Sequence, residues 1–321
     1  MTTLVTGAAG FIGSRLSYEL IKQGETVLGI DNLNSYYDVN LKKYRLEKLA
    51  SNSLFKFIKL DLSGKSNIQK LVERYNITKI CHLAAQAGVR YSLKNPEIYI
   101  KYNIDGFLKI LEICRKFNNI RLVYASSSSV YGGNKKVPFA ERDPVNHPIS
   151  IYAATKRSNE LMAHVYSHLY DIPSTGLRFF TVYGPWGRPD MALFKFVENI
   201  IKGKPIELYN SGNHSRDFSY IDNVVDFISS CSNKIKRKKS IYEIFNVGFG
   251  KQTKLMHFLD IIEKKLKRKA KIKYLKFQKG DMKDTYADTS KIKKFTKIKK
   301  TVKIEEGIAN FIAWFKNYYL R

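Results

Sequence analysis

Gly7, Gly10 and Gly13 fall between an apolar run, Thr3–Thr6, and a helical pattern, Phe11–Gln23. This junction constrains the chain more than any other feature. Glycines in a strand-to-helix turn permit a tight reversal and let the backbone approach a pyrophosphate. The helix start then offers free N–H groups and the positive end of its dipole. The spacing is G-x-x-G-x-x-G, one residue longer than the common dinucleotide fingerprint. With Phe11 and Ile12 completing the turn, these residues predict dinucleotide binding.

The pattern after the turn supports the same architecture. Short apolar, β-branched runs at Thr26–Asp31, Phe55–Leu60, Lys79–Leu83, Arg121–Ser126 and Ser174–Arg178 read as buried parallel strands. Helical patterns lie between them at Asn40–Leu49, Ile68–Tyr75, Pro96–Phe117 and Ile151–Tyr170. This alternation predicts an α/β fold, a doubly wound parallel Rossmann sheet. After Tyr183 the pattern loosens. Helices are expected at Leu193–Lys202, Leu255–Leu266 and Ile304–Tyr318, and a strand at Phe245–Gly248. Residues 1–180 are therefore assigned to the dinucleotide domain, with 240–250 returning to its sheet. Residues 181–239 and 251–321 are assigned mainly to a smaller α/β substrate lobe.

Asp31 ends the second strand 18 residues beyond Gly13, where a carboxylate accepts bonds from ribose hydroxyls and repels a 2′-phosphate. That favours NAD over NADP. Asn32 follows it at the same edge. Asp61 and Leu62, after the third strand, are placed to reach the adenine. Leu83, Ala84 and Ala85, after the fourth, let a cofactor come close. Asn103 lies inside a long helical pattern, where it either faces solvent or turns toward the cofactor.

Tyr152 and Lys156 stand four apart on a helix, hence on one face, with the serine run Ser126–Ser129 upstream. An ammonium near a phenol favours the phenolate, giving an acid or base that works near neutral pH. A serine hydroxyl can hold the oxygen whose proton moves.

Longer blocks carry a resemblance. They are Asp31–Leu41, His82–Ser92, Tyr124–Gly132, Leu177–Ala192 and Arg216–Asp222. Through them nearly the whole chain resembles the extended short-chain dehydrogenases/reductases acting on nucleotide sugars, above all the UDP-glucuronate 4-epimerases. The resemblance implies reversible C4 epimerisation of UDP-glucuronate to UDP-galacturonate, through a 4-keto sugar and tightly bound NAD. It implies a catalytic group of Ser127, Tyr152 and Lys156, with Tyr152 as base, Ser127 on the reacting oxygen and Lys156 holding the nicotinamide ribose. Related sugar dehydratases place Asp-Glu directly after the serine. Here Ser128 and Ser129 follow, which argues against elimination.

On the substrate side the resemblance implies that Arg188 grips the glucuronate carboxylate, as a guanidinium does with two parallel hydrogen bonds. Ser128 and Thr181 add bonds to the sugar acid. Arg216 and Arg90 are diphosphate ligands, Tyr209 packs against uracil, and Asp281 binds ribose hydroxyls. Gln278 stands where many UDP-galactose epimerases carry arginine, and suits the glucuronate subgroup. A UDP-glucose/UDP-galactose 4-epimerase is the alternative, followed by a UDP-glucuronate decarboxylase. The resemblance also implies a homodimer built on Pro96–Phe117 and Ile151–Tyr170, and a product destined for a surface polysaccharide.

Composition limits other readings. The formal net charge is +28, densest around Lys236–Lys239 and Lys264–Lys269. Lysine outnumbers arginine about three to one, and no nucleic-acid motif accompanies the charge, so a solvated basic surface is expected and no specific nucleic-acid partner. Cys81, Cys114 and Cys231 are widely spaced, forming neither a disulfide framework nor a metal pattern. No apolar run reaches membrane-spanning length, and the start of the chain lacks signal-peptide order. These features predict a cytoplasmic protein without a metal.

Overall fold

The computed structural model describes residues 2–64, 66–234, 242–278, 280–299 and 301–320. Seven parallel strands form its central sheet. Six come from the first 179 residues: β1 (Thr2–Thr6), β2 (Thr26–Asp31), β3 (Phe55–Lys59), β4 (Ile77–His82), β5 (Arg121–Ser127) and β6 (Ser174–Phe179). The seventh, Tyr242–Val247, returns to pair with β6 and lies at one edge, so the order runs Tyr242–Val247, β6, β5, β4, β1, β2, β3. Of the expected return segment 240–250, residues 240 and 241 lie outside the described residues.

Both faces of the sheet are covered, which is why its inner strands read as mainly apolar runs, while the edge strand β3 exposes Lys56 and Lys59. Alternate residues enter opposite cores. Val5, Val27, Cys81, Val123 and Leu177 join the core on one face. Leu4, Leu28, Ile80, Leu122 and Tyr124 join the other. Helix α1 (Phe11–Lys22) packs against the helix Ile221–Lys234, and the helices Gly106–Lys116 and Ile151–Tyr170 pack against each other. All three cysteines are buried and free.

The chain crosses from one side of the sheet to the other between β1 and β4. Ligands bind at such a reversal, outside the C-terminal ends of the strands. Five sheet ends converge there: Gly7 after β1, Asp31 on β2, Asp61 after β3, Leu83 after β4 and Ser127 on β5.

The pattern Pro96–Phe117 is not one uniform helix. It is a turn of α-helix (Pro96–Tyr99), a π-helical segment (Ile100–Asp105) and an α-helix (Gly106–Lys116). The wider π turn brings Asn103 into the interior. Asn103 accepts from Gln86 N at 2.8 Å, and its amide donates to Gln86 O and Thr155 Oγ1. Three short sheets and the helices Ala192–Ile201, Leu255–Leu266 and Ile304–Tyr319 form the C-terminal region.

Candidate active site

A cavity of about 430 Å³ runs across the strand ends. Its floor at one end is the glycine turn, lined by Gly7, Gly10, Phe11, Ile12 and Gly13. Gly7 has φ +71°, and a side chain on Gly13 would place its Cβ 2.1 Å from Gly7 O. The turn therefore closes only with hydrogen at these positions. Gly10, extended at φ −73° and ψ 170°, directly precedes α1, whose first N–H groups lie beside the cavity.

Asp31 and Asn32 line the cavity next to this turn. Asp31 accepts from Leu33 N at 2.8 Å and Ala9 N at 3.3 Å, which fixes the carboxylate at the strand end. Asp61 and Leu62 follow, with Leu83, Ala84 and Ala85 opposite. Burial opposes ionisation of Asp61, but bonds from the Ser63 hydroxyl and N–H, and from Asn32, bring its pKa below the usual value. A diphosphate approached by backbone N–H groups, with a fixed carboxylate one strand over, is the donor and acceptor set of a dinucleotide site, and the residues fit one.

Tyr152 and Lys156 sit in the first two turns of the helix Ile151–Tyr170, which Ser150 caps by accepting from Ala153 N at 3.1 Å. Ser127 ends β5 facing them, and all three line the cavity. Burial raises the Tyr152 phenol above its ordinary pKa, while a hydrogen bond with Ser127 and the charge of Arg188 work the other way. The influence expected from Lys156 is not among these causes. Its Nζ donates instead to Ala125 O at 2.9 Å, and burial brings it down to about 8. Lys156 is thus a buried amine held by the backbone of β5.

Below the site, His82 is buried and its pKa is lowered to about 3 by burial and by Lys156. Thr6 Oγ1 accepts from Leu83 N and Ala84 N, so its own proton goes to His82 Nδ1, 2.9 Å away. This neutral bond network steadies the Leu83–Ala85 segment without adding charge.

The far end of the cavity carries Ser128, Thr181, Arg188, Arg216 and Asp281. Arg188 is held above its ordinary pKa. Burial works against the cation, but Asp190 more than compensates. Arg216 Nη1 donates to Ser215 O and Lys283 O, which ties it to the C-terminal region. Arg90 and Tyr209 do not line the cavity. The Arg90 guanidinium lies 4.0 Å from the centre of the Tyr209 ring and pairs with Asp281 at 3.0 Å. Arg90 thus links Tyr209 to Asp281, which itself lies on the cavity wall. Gln278 also lies off the cavity wall, with Oε1 buried and unpartnered. Asn103 does not line the cavity; it bonds the backbone of Gln86, which does.

Other residues of the site carried no local signal. Lys42, Tyr36 and Tyr102 line the cavity from segments with helical or irregular patterns. Lys42 Nζ donates to Asn34 O and Oδ1 at 2.9 Å, and burial lowers its pKa. Arg45 is 2% exposed. Its Nη1 donates to Ala9 O and the Tyr37 hydroxyl, and its Nη2 to Trp186 O and Gly187 O. One guanidinium thus clamps the glycine turn to the loop that carries Arg188. Among the described residues no His/Cys/Asp/Glu group could hold a metal ion, and no helix is long and apolar enough to cross a membrane.

The sequence profile of the NAD-dependent epimerase/dehydratase family matches residues 3–248. The chain belongs to this family. A Methanocaldococcus jannaschii protein of uncharacterised activity is 55% identical over 99% of this chain and 98% of its own length. A probable UDP-glucuronate 4-epimerase of Rhizobium meliloti is 43% identical over 100% of this chain and 98% of its own. The crystal structure of UDP-glucuronic acid 4-epimerase from Bacillus cereus, in complex with UDP-glucuronic acid and NAD, is similar with a TM-score of 0.93. It is 34% identical and covers 99% of this chain and 100% of that one. The fold with its seven-stranded sheet thus belongs to an established family architecture.

Proposed function

We propose that this protein is a UDP-glucuronate 4-epimerase, interconverting UDP-glucuronate and UDP-galacturonate with a tightly bound NAD. The observation that carries the reading is one cavity holding Ser127, Tyr152 and Lys156 at its centre, the glycine turn and Asp31 at one end, and Arg188 at the other. Relatives and a solved neighbour bearing that activity support it. Gly7, Gly10 and Gly13 would hold the pyrophosphate, Asp31 and Asn32 the adenosine ribose, and Lys156 the nicotinamide ribose. When bound, NAD takes a hydride from C4 of the sugar and returns it to the opposite face.

The chain's own groups then handle the proton. Tyr152 removes it from the 4-hydroxyl and returns it after the 4-keto sugar has turned. Ser127, bonded to the phenol, holds the reacting oxygen. The hydrogen bond with Ser127 and the charge of Arg188 favour a phenolate in a buried site, where the phenol alone resists ionisation. Ser128 and Ser129 offer neither acid nor base for loss of water. This favours epimerisation over dehydration.

Arg188 gives the substrate its identity in this reading. Oxidation at C4 makes a β-keto acid, which loses CO2 when its carboxylate aligns with the ketone. A carboxylate held by Arg188 and flanked by Ser128 and Thr181 is kept from that alignment. Arg188→Ala is therefore expected to raise KM for UDP-glucuronate by about 30- to 100-fold, because charge-assisted bonds contribute about 1.5–3 kcal/mol each. It is also expected to divert turnover toward a UDP-pentose, seen by chromatography of the nucleotide sugars. Unchanged KM and unchanged products would remove Arg188 from the substrate site. Incubation with UDP-glucose in parallel tests the neutral-sugar alternative.

Three further expectations belong to the same reading. The chain divides into a dinucleotide domain over 1–180, with 240–250 added, and a substrate lobe over the remainder. Leu108, Leu161, Val165 and Leu169 are exposed apolar residues on the helices Gly106–Lys116 and Ile151–Tyr170, and they support a homodimer through these two helices. A cytoplasmic enzyme that supplies UDP-galacturonate for a surface polysaccharide accords with buried free cysteines.

A further inference from the structure

The arginine proposed to meet the substrate's carboxylate already has a carboxylate of its own. Arg188 Nε donates to Asp190 Oδ1 at 2.9 Å, and Nη2 donates to Asp190 Oδ2 at 2.5 Å. Both side chains are largely buried, at 21% and 29% exposure. Tyr36 adds a bond from its hydroxyl to Asp190 Oδ2 at 3.2 Å. Arg188 lines the cavity and Asp190 does not. A guanidinium carries five N–H donors. Asp190 engages the Nε edge, which leaves Nη1 and the second Nη2 hydrogen for a ligand.

We infer that Asp190 is a positioning residue that holds Arg188 in place and tempers the preference of this site for a sugar acid over the matching neutral sugar. The inference rests on the reading of Arg188 as the carboxylate ligand. With Asp190 ionised, Arg188 is neutralised whether the cavity holds a uronate, a neutral sugar or water. A uronate then brings a second carboxylate to the same guanidinium, attracted by Arg188 and opposed by Asp190. Remove the charge at 190, and Arg188 becomes a buried cation with no compensating anion except a bound uronate. Discrimination should therefore increase. The natural pair keeps Arg188 oriented before substrate arrives and moderates its hold on either uronate, so that product leaves.

Asp190→Asn removes the charge but keeps an amide oxygen that can accept from Nε. The test is calorimetric titration of the NAD-loaded protein with UDP-glucuronate and with UDP-glucose. It is made on the natural chain, Asp190→Asn, Arg188→Met and the double variant, with Asp190→Ser as a second way to discharge the position. The ratio of the two dissociation constants is expected to shift toward UDP-glucuronate by about tenfold or more in Asp190→Asn, as loss of a like charge at close range implies. In the Arg188→Met background the same change is expected to leave the ratio within about twofold, since its effect runs through Arg188. A ratio that stays put or moves toward UDP-glucose in both position-190 variants overturns the inference. An equal shift with and without Arg188 also overturns it, since that is what a merely structural residue would do. Turnover is not read in this experiment. An Arg188→Met variant that keeps the natural ratio would remove Arg188 as the carboxylate ligand, a failure of the proposed function that is distinct from position-190 variants that move nothing.

Discussion

Tyr152→Phe is expected to lower kcat by about 10³- to 10⁴-fold while leaving the affinity for the nucleotide sugar within a few-fold. The variant keeps the ring and its edge-on contact with Tyr99, whose centroid lies 6.0 Å away. It loses only the group that moves the proton. Ser127 cannot substitute, because its hydroxyl ionises far less readily than a phenol, and Lys156 is tied to Ala125 O. KM close to that of the natural chain, with kcat collapsed, is the signature of an interaction made in the transition state. A variant that retains more than about a tenth of the natural kcat would mean that another group performs the proton transfer.

Gly13→Ala is the second large effect, and it acts on the cofactor. The added Cβ would lie 2.1 Å from Gly7 O, 2.8 Å from Gly7 C and 3.2 Å from Ala8 Cα. All three are backbone atoms of the turn itself, so no side chain can swing aside. The turn must open, and with it the spacing between β1 and α1 that presents N–H groups to the pyrophosphate. Overpacking of this kind costs about 1–3 kcal/mol or more. The expected result is loss of most co-purifying NAD, measured by denaturing the protein and quantifying released nucleotide. Full NAD content in Gly13→Ala would show that the glycine turn is not the pyrophosphate cradle. The same assay should detect NAD and no NADP in the natural chain, given the carboxylate at Asp31.

The sheet was legible because its physics is local. Strands β1, β2, β4, β5 and β6 are largely buried, and only the edge strand β3 exposes Lys56 and Lys59; a short apolar run between turns is enough to mark each, and the ends fall within about two residues of expectation. The helix pattern over Pro96–Phe117 concealed its π turn, since one extra residue in a turn leaves the apolar spacing nearly unchanged. That turn decides the fate of Asn103. The two-residue strands Ser215–Arg216, Thr253–Lys254 and Asp284–Thr285 are too short to show any period, and pairing alone defines them. The helix Ile221–Lys234 does carry a local signal: Ile221, Val224, Val225 and Ile228 form an apolar helical stripe that begins at the end of the block Arg216–Asp222.

Within the site, residues held by strand ends or by the Tyr152 helix were readable, because one residue type at one topological position carries the chemistry. Residues that act across the fold were not. Arg45 sits on a helix with a solvated composition, and only the folded chain shows it reaching both Ala9 O and Trp186 O. Arg90, Tyr209 and Asp281 each suit a nucleotide ligand by type, but only the folded chain shows Arg90 linking the other two. Asp190 lies two residues from Arg188 in plain sight, but its hold on the guanidinium is a matter of geometry.

The central claim is a reversible oxidation at C4 through a cofactor that never leaves. It is tested most directly with UDP-glucuronate bearing deuterium at C4, incubated with the purified protein and no added NAD. The expected product is UDP-galacturonate that retains the label at C4, because a hydride given and returned within one site does not exchange with water. Loss of the label to solvent, or conversion of UDP-glucose with no conversion of UDP-glucuronate, would contradict it.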